Sequence, residues 1–333
     1  MPSYNQNHII PSDETEVPGM KIVYADKSEP GNVSYLNDIV YDVRSGIPLH
    51  LQMLYPDVPA ALMEQRTAAQ QAENNKAGGE QQNKENEEKF GGINPYQSTL
   101  RMPCVVFVQG SAWGKQDCYR TLPLLVDIAR QGFVVASVEY RSAYVEKFPG
   151  FVSDVKAAIR FLKANADLYG IDPTRIAVWG HSSGGHTALM VGATGWTREF
   201  DEGIYPEQDS SVCACVAYYG VSEFTPFLEG GKFARPILFD VLLGKEGAKD
   251  PKNVERLSPV SYIHKEQNYP PFLLMHGDVD AIVPFEQSVF MYNKLRECGK
   301  RADFYKVRGA NHSQFFWTPE VLQITARFLK AYV

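Results

Sequence analysis

Residues Arg175–Gly185 read RIAVWGHSSGG, and this stretch predicts the fold of the chain. The apolar run RIAVW is typical of a buried strand, and the small residues of Ser183–Val191 favour a helix. A sharp turn between them would lift the Ser182 hydroxyl clear of the sheet, since Gly180 and Gly184 lack the Cβ atoms that would crowd it. The helix N-terminus behind the turn favours developing negative charge. The pattern therefore predicts Ser182 as a nucleophile, against the alternative of an ordinary glycine-rich turn.

Strand and helix patterns alternate on both sides of this turn. Continuous apolar runs at Cys104–Val108 and Phe133–Val138 predict buried strands, and Leu122–Arg130 between them predicts a helix. Asp38–Val43 and Leu49–Tyr55 alternate in polarity around a short turn and predict a β-hairpin. Further strands are predicted at Val212–Tyr218, Phe272–Met275 and Ala302–Val307, and further helices at Phe151–Tyr169, Pro284–Cys298 and Pro319–Tyr332. This order predicts an α/β fold, with a mainly parallel central sheet and helices on both faces.

A nucleophilic serine needs a base, and the base needs an orienting acid, in the chain order Ser, then Asp or Glu, then His. Four histidines follow the turn, at His186, His264, His276 and His312. His312 follows the last predicted strand, where a loop can reach back over the turn, so it is the predicted general base. His186 falls inside the helix and is expected to pack there. The stretch HGDVDAIVP offers two acids; Asp280 lies further out on the loop and is favoured, which leaves Asp278 as a turn-stabilising residue.

Taken together, these segments resemble an α/β-hydrolase of the carboxylesterase kind. They are similar to bacterial feruloyl and acetyl-xylan esterases and to hormone-sensitive-lipase-like esterases. The resemblance runs from about Tyr35 to the C-terminus and rests on the stretches GIDPTRIAVWGHSSGG, YYGVSEF, SPVSYI, PPFLLMHGDVDAIVP and GANHS. It implies the α/β-hydrolase fold, an acid at Asp280, a base at His312, and hydrolysis of a carboxylic ester through an acyl-enzyme without metal or cofactor. An arylformamidase-like or small-peptide amide hydrolase with the same triad is the alternative.

One loop departs from the family pattern. The family usually carries HGGGW after its third strand, where this chain has Gln109-Gly110-Ser111-Ala112-Trp113. The backbone N–H groups of this loop and of Ser183 are expected to stabilise the oxyanion, and backbone donors survive a change of side chain. We therefore predict Ser111, Ala112 and Ser183 as the oxyanion hole. The lost glycines restrict φ, and Gln109 replaces the histidine that usually braces the loop.

Aromatic residues near the predicted site suggest an aromatic acyl group. Trp113 is expected to flank the serine, and Phe316 and Trp317 follow the predicted base. Further phenylalanines occur at Phe224, Phe227, Phe233 and Phe239. Together with the family resemblance, these rings imply a feruloyl (hydroxycinnamoyl) or acetyl esterase acting on plant-derived esters, with Trp113, Phe316 and Trp317 contacting substrate. The alternative is that these rings pack a lid onto the sheet.

Composition narrows the partners and the location. The chain has 333 residues, and with 44% of them hydrophobic it can bury a substantial core. Its net charge of −6, without a block of Lys and Arg, predicts no nucleic-acid partner. The sequence shows neither a membrane span nor a signal-peptide pattern, and its five irregularly spaced cysteines fit reduced thiols. We expect a cytoplasmic protein without a membrane partner, acting on a small-molecule ester, and the sequence leaves a homo-oligomer open.

One segment differs from the rest in composition. Glu64–Lys89 has no aromatic residue and only Thr67 is β-branched, which predicts a solvated, low-complexity insertion within about 57–100. We interpret it as a tolerated surface insertion, with a lid or a partner-binding arm as alternatives. The predicted organisation is an N-terminal extension over 1–34 and one α/β-hydrolase domain over 35–333. Irregular segments at 195–210 and at 222–258, the second a candidate lid, are expected to cover the C-terminal ends of the strands.

Overall fold

The computed structural model describes residues 32–56, 101–228 and 236–333. The predicted insertion, most of the N-terminal extension and Phe233 lie outside these ranges. The strands are β1 Val33–Arg44, β2 Ile47–Pro56, β3 Met102–Val108, β4 Val134–Val138, β5 Ile171–His181, β6 Ala214–Tyr218, β7 Phe272–Gly277 and β8 Ala302–Val307. The helices are α1 Leu122–Arg130, α2 Gly150–Ala164, α3 Ser183–Ala193, α4 Thr225–Leu228, α5 Pro236–Gly247, α6 Pro251–Leu257, α7 Glu286–Glu297 and α8 Pro319–Tyr332, with a 3₁₀ turn at Pro259–Tyr262. Within these ranges, no helix has the length and apolar character needed to cross a membrane.

The strands form one sheet in the order β1-β2-β4-β3-β5-β6-β7-β8. The pairs β1–β2 and β2–β4 are antiparallel, and every other neighbouring pair is parallel. Side chains of β3 alternate between two hydrophobic clusters: Val106 and Val108 pack with α2 and α3, whereas Val105 and Phe107 pack with α1 and α8. Helices therefore cover both faces, which explains why the central strands are apolar at nearly every position. The predicted α/β-hydrolase fold is confirmed.

The predicted hairpin is present and closes with a two-residue turn. Arg44 pairs with Ile47, and between them Ser45 and Gly46 have φ angles of 53° and 75°. Two consecutive positive φ angles match the right-handed twist of the strands, and glycine adopts the second without a Cβ clash. One predicted boundary is wrong: the helix after β4 ends at Ala164 rather than at Tyr169.

The segment 222–258 is not irregular as predicted, because its described residues include α4, α5 and α6. A start signal for α6 is readable in the sequence: Asp250 accepts a hydrogen bond from the N–H of Lys252 at 3.0 Å, and Pro251 follows it. Leu242 of α5 and Leu257 of α6 are fully buried in the main core. Part of this segment therefore belongs to the packed body of the domain.

The segment 195–210 has no regular helix or strand, as predicted. Buried charges fix it in place: Lys156 Nζ of α2 lies 3.0 Å from Asp201 Oδ1, and Arg160 Nη1 lies 3.6 Å from the same oxygen. The side chains of Lys156 and Arg160 are both fully buried. Each cation therefore depends on the Asp201 carboxylate to offset the free-energy cost of its removal from water. The loop is thereby held against α2 at a defined position.

Candidate active site

Ser182 occupies the turn between β5 and α3. Its φ of 54° and ψ of −126° lie in a region that non-glycine residues rarely adopt. Its backbone N–H donates to the carbonyl of Tyr218 at 3.0 Å, and its own carbonyl accepts from the N–H of His186 at 3.0 Å. The strained backbone is thus held from the neighbouring strand and from the following helix, and it presents the Ser182 side chain at the C-terminal edge of the sheet.

Gly180 and Gly184 permit this turn, because at both positions neighbouring backbone atoms lie too close to leave room for a Cβ. A Cβ built on Gly180 would lie 2.1 Å from the carbonyl oxygen of Gly184. A Cβ built on Gly184 would lie 2.0 Å from the carbonyl oxygen of Val108, on the neighbouring strand. Both clashes are with backbone, which cannot rotate away. The glycines of the sequence pattern are therefore steric requirements of the turn.

The three residues predicted as nucleophile, base and acid are brought together in one hydrogen-bonded line. Ser182 Oγ lies 2.8 Å from His312 Nε2, and His312 Nδ1 lies 2.7 Å from Asp280 Oδ2. His312 comes from the loop after β8, and Asp280 from the loop after β7. The Asp280 side chain is fully shielded from solvent, whereas that of His312 is 16% exposed. Substrate and solvent can therefore reach the serine end of the line.

Asp280 is fixed at both carboxylate oxygens. Its Oδ1 accepts from the N–H groups of Ile282 at 2.8 Å and of Val283 at 2.9 Å, which leaves Oδ2 facing His312. Burial alone would raise the pKa of the Asp280 carboxyl. Hydrogen bonds from two flanking histidines and a backbone N–H outweigh it, so the pKa lies well below its usual value. The acid therefore stays ionised and accepts only.

Asp278 and His186, which were alternative candidates for the acid and the base, have structural roles, as the sequence predicted. Asp278 Oδ1 accepts from the N–H of Gly309 at 2.7 Å and ties the β7 and β8 loops together. His186 is fully buried; its Nδ1 accepts from the indole of Trp113 at 3.1 Å, and its Nε2 donates to the carbonyl of Leu257 at 2.9 Å. Burial lowers the pKa of His186 to about 4. This histidine is a neutral core residue.

The loop that follows β3 differs from the prediction in one donor. The N–H of Ser111 points to Ser183 Oγ at 2.9 Å, so it is engaged within the protein and is not free for an oxyanion. The N–H groups of Ala112 and Ser183 have no acceptor among the described residues. Ala112 has a φ of 51°. Two of the three predicted oxyanion donors thus remain available.

A tyrosine and a glutamine brace this loop in place of the histidine that the family usually has there. Tyr140 Oη donates to the carbonyl of Gln109 at 3.0 Å and lies 3.1 Å from Ser111 Oγ. Gln116 accepts from the Tyr140 N–H at 2.9 Å and donates to the carbonyl of Gly114 at 2.6 Å. Nothing in the local sequence pattern distinguishes Tyr140 from an ordinary core tyrosine, so its role here was not predictable.

His181, the variable residue of the turn pattern, also supports the loop. Its Nε2 accepts the N–H of Gly110 at 3.1 Å. The ring is enclosed by aromatic side chains, with centroid distances of 5.8 Å to Phe107, 5.9 Å to Tyr219 and 5.4 Å to Trp317. Burial lowers the pKa of His181 to about 3, so the imidazole is neutral and can accept. Sequence reasoning missed this contact, which depends on how two loops approach each other.

Comparison with known proteins is consistent with this geometry. Residues 93–295 match the BD-FAE family, a stretch that includes the Ser182 turn and Asp280. The chain belongs to the BD-FAE family. Esterase LipC of Mycobacterium tuberculosis is 32% identical over 220 residues, which cover 64% of this chain and 53% of LipC. The chain spans about half the length of the curated relatives it matches.

Two solved structures resemble this BD-FAE family member closely in fold. A truncated carbohydrate esterase from gut microbiota has a TM-score of 0.71 at 23% identity, and the match covers 91% of this chain and 98% of that one. A bifunctional GH43-CE protein of Bacteroides eggerthii has a TM-score of 0.69 at 28% identity, over 89% of this chain and 38% of that one. The architecture is therefore shared with esterases along nearly the whole chain.

The aromatic residues predicted to contact substrate are largely occupied by packing. Trp113 is 5% exposed, and its ring packs against His186 and Phe224 below the loop. Phe316 is fully buried. Trp317 is half-buried, and its indole donates to the hydroxyl of Tyr219 at 2.9 Å. For Trp113 and Phe316, the packing alternative therefore describes the structure better than the substrate-contact prediction.

Proposed function

We propose that this protein is a serine carboxylic-ester hydrolase in which Ser182 is the nucleophile, His312 the general base and Asp280 the orienting acid. The observation that carries the proposal is the line of two short contacts, 2.8 Å from Ser182 Oγ to His312 Nε2 and 2.7 Å from His312 Nδ1 to Asp280 Oδ2. Membership of the BD-FAE family and the named esterase relatives support ester hydrolysis as the chemistry.

The hydrogen-bond pattern sets the proton inventory for the first step. Because ionised Asp280 can only accept, His312 carries its proton on Nδ1 and offers the Nε2 lone pair to the Ser182 hydroxyl. Nε2 takes the hydroxyl proton as Oγ attacks the ester carbonyl. The imidazolium then gives that proton to the leaving alcohol, and an acyl-enzyme remains.

The second step reverses the roles. Water enters, His312 removes its proton, and the hydroxide attacks the acyl carbonyl; the carboxylic acid leaves and Ser182 regains its proton. In both tetrahedral intermediates the negative oxygen would lie against the N–H groups of Ala112 and Ser183. Ser183 is the first residue of α3, so the positive end of the helix dipole adds to the stabilisation.

For the substrate, we propose a short acyl group such as acetyl. The reason is that Trp113 and Phe316, two of the rings expected to form an aromatic acyl pocket, are enclosed by core packing. Of the rings near His312, Phe315 is 71% exposed and can border the entrance without enclosing a bulky acyl group.

A substrate panel with a matched variant tests both parts. We expect 4-nitrophenyl acetate and an acetylated sugar to be hydrolysed with kcat/KM at least about 10-fold above methyl ferulate, and N-formylkynurenine to be turned over slowly or not at all. Ser182→Ala should abolish turnover while keeping the melting temperature. Equal turnover by Ser182→Ala would overturn the triad. Preference for methyl ferulate would overturn the acyl assignment, and preference for N-formylkynurenine would favour the amide-hydrolase alternative.

A further inference from the structure

A second histidine approaches the predicted catalytic acid from the side opposite to the serine. His276, the next-to-last residue of β7, places Nε2 3.4 Å from Asp280 Oδ2, the same oxygen that faces His312. The side chains of His276 and Asp280 are both fully shielded from solvent. His276 is one of the four histidines that follow the Ser182 turn in the sequence, and the proposed triad does not use it.

The hydrogen bonds of His276 determine where its proton lies. Its Nε2 is 3.0 Å from the carbonyl of Val283, which can only accept, so Nε2 carries a proton. Its Nδ1 is 2.8 Å from Ser288 Oγ of α7, whose hydroxyl can donate to the lone pair left there. The Val283 carbonyl thus selects the tautomer in which the Nε2–H is directed at Val283 and Asp280, and the Ser288 hydroxyl orients the ring by donating to Nδ1. The contact from His276 Nε2 to the Val283 carbonyl holds the 280–283 turn against β7.

Other groups face this cluster from the neighbouring elements. The ring of Tyr219, at the end of β6, has its centroid 6.3 Å from that of His276 and 4.7 Å from that of His312. Phe285 packs at 5.5 Å on the other side of His276, and the ammonium of Lys306 of β8 lies 4.9 Å from the Phe285 ring centre. His181 of β5 is buried and interacts electrostatically with His312, and Asp278 of the same loop accepts from the N–H of Gly309. None of these groups hydrogen-bonds to the Asp280 carboxylate in the described structure.

We propose that His276, oriented by Ser288, is a positioning residue that shares Asp280 Oδ2 with His312 and fixes where that oxygen lies. The inference rests on the proposed function, since it assigns a role through the acid of the triad. Oδ1 is held independently by two backbone N–H groups. Loss of His276 therefore leaves Oδ1 held, but it frees Oδ2 to shift and makes His312 the sole side-chain donor to that oxygen.

The sharing of Oδ2 by two histidines predicts the direction in which loss of His276 shifts the pH profile of activity. With one donor fewer, the negative charge on Oδ2 acts more fully on His312, and the imidazolium form is favoured. In His276→Leu, the midpoint of the acid limb of kcat/KM for 4-nitrophenyl acetate should therefore shift to higher pH, by about half a pH unit. The kcat should fall about 10-fold, because the carboxylate oxygen is less well placed, and KM should change little.

Two further variants separate positioning from packing. His276→Gln places an amide N–H close to the position of Nε2–H, and should restore the wild-type acid limb. Ser288→Ala removes only the orienting hydroxyl and should shift the limb in the same direction as His276→Leu, by less. Because Ser288→Ala is a small change, it remains informative if His276→Leu does not fold.

The outcomes are distinguishable from a failure of the proposed function. If Ser182→Ala is inactive while folded His276→Leu and Ser288→Ala keep the wild-type acid limb and kcat, the positioning role is overturned and the triad stands. A shift that His276→Gln reproduces in full also overturns it, since the donor would then be irrelevant. Activity that persists in Ser182→Ala removes the proposed function itself.

Discussion

The imidazole of His181 accepts the backbone N–H of Gly110 at 3.1 Å, and so joins the turn that carries Ser182 to the loop that carries Ala112, one of the two proposed oxyanion donors. The two parts of the site come from different strands, β5 and β3. Their relative position therefore depends on this contact as well as on the sheet pairing between Val108 and Gly180. Stabilisation of the transition-state oxyanion depends on where the N–H donors lie, so it is sensitive to a shift of the β3 loop relative to the Ser182 turn.

We expect His181→Leu to lower kcat for 4-nitrophenyl acetate about 10-fold to 100-fold, with KM little changed, because an oxyanion contact matters most in the transition state. His181→Gln can offer an amide oxygen to the same N–H and should retain more activity. Steady-state kinetics at pH 8 measure both. A rise in KM at constant kcat in His181→Leu would contradict the role, since it would point to ground-state binding alone.

The two acids of the HGDVDAIVP stretch form a matched pair. Asp280→Asn leaves the geometry nearly unchanged but lets the amide donate to His312, which stabilises the wrong tautomer; we expect kcat to fall about 10⁴-fold. Asp278→Asn keeps an oxygen for the N–H of Gly309 and should retain kcat within about 3-fold. The comparison uses the same substitution two residues apart. Similar losses in both variants would show that loop stability, and not the acid, is being measured.

The backbone approach at the nucleophile turn predicts a large steric effect. A Cβ on Gly184 would meet the Val108 carbonyl oxygen at 2.0 Å, so Gly184→Ala must push β3 and α3 apart. We expect a loss of about 3 kcal/mol or more in the free energy of unfolding, measured by urea denaturation. Gly247→Ala is the control, because its Cβ would meet Leu243 Cβ at an ordinary 3.4 Å. A wild-type unfolding midpoint for Gly184→Ala would contradict the turn geometry.

Some of these features were predictable from the sequence because they depend on local pattern. Runs such as CVVFV mark strands buried on both faces, and the bounds of α1 and α8 follow from amphipathic spacing and proline at the helix start. Ser182, Asp280 and His312 could be predicted from their chain order together with their places after predicted strands and the family resemblance. Local pattern was less informative for 222–258, where the short helices are held by distant segments: the Leu242 carbonyl accepts from the N–H of Phe148 at 2.8 Å, and the Leu257 carbonyl from His186 at 2.9 Å.

Other features were not predictable because they depend on side-chain rotamers in neighbouring loops. The N–H of Ser111 is engaged because Ser183 Oγ turns toward it, which no spacing rule indicates. The contact between His276 and Asp280 requires the 280–283 turn to close below the acid. The burial of Trp113 follows from a partner, His186, that lies more than seventy residues away in the chain. The contacts of Ser111 and Trp113 are long-range, and that of His276, although only four residues long, depends on how the loop folds back.

The neutral core histidine His186 predicts a pH dependence of stability. Its pKa is lowered to about 4 in the folded protein, whereas an unfolded histidine titrates near 6.5. Between these values the unfolded chain binds a proton that the folded protein does not, so stability falls as the pH drops through this window. Within this window, His186 alone lowers the free energy of unfolding by up to about 1.4 kcal/mol for each pH unit. Above about pH 6.5 its contribution is complete and constant.

Urea unfolding of wild type and His186→Gln at pH 7, 6, 5 and 4 checks this sign. The variant should be less stable at pH 7, because the amide does not fill the space of the ring that packs on Trp113 and Phe224, at centroid distances of 5.3 and 5.2 Å. Its stability should then decline less steeply toward pH 4 than that of the wild type. His181, whose pKa is lowered to about 3, keeps part of the slope in both proteins. Parallel curves for the two proteins would contradict the assignment of His186 as a neutral buried group.

The left-handed backbone at Ala112 gives a prediction with the opposite sign, a gain in stability. Ala112 has a φ of 51° and Trp113 a φ of 57°, in the turn closed by the hydrogen bond from the Gly114 N–H to the Ser111 carbonyl. An L-residue with a Cβ costs roughly 1–2 kcal/mol in this region, and glycine does not carry that cost. Glycine does lose more chain entropy on folding, so the net gain for Ala112→Gly should be about 0.5–1 kcal/mol in the free energy of unfolding.

The same variant tests the proposed oxyanion hole, because glycine keeps the backbone N–H at position 112. We expect kcat within about 2-fold of wild type, together with the gain in stability. Ala112→Pro removes that N–H and cannot adopt a positive φ, so it should lose both activity and stability. Ala112→Val is the intermediate case, since it keeps the donor but adds a branched side chain at a positive φ. If Ala112→Gly is less stable than wild type, the left-handed turn is not the conformation of this loop in solution.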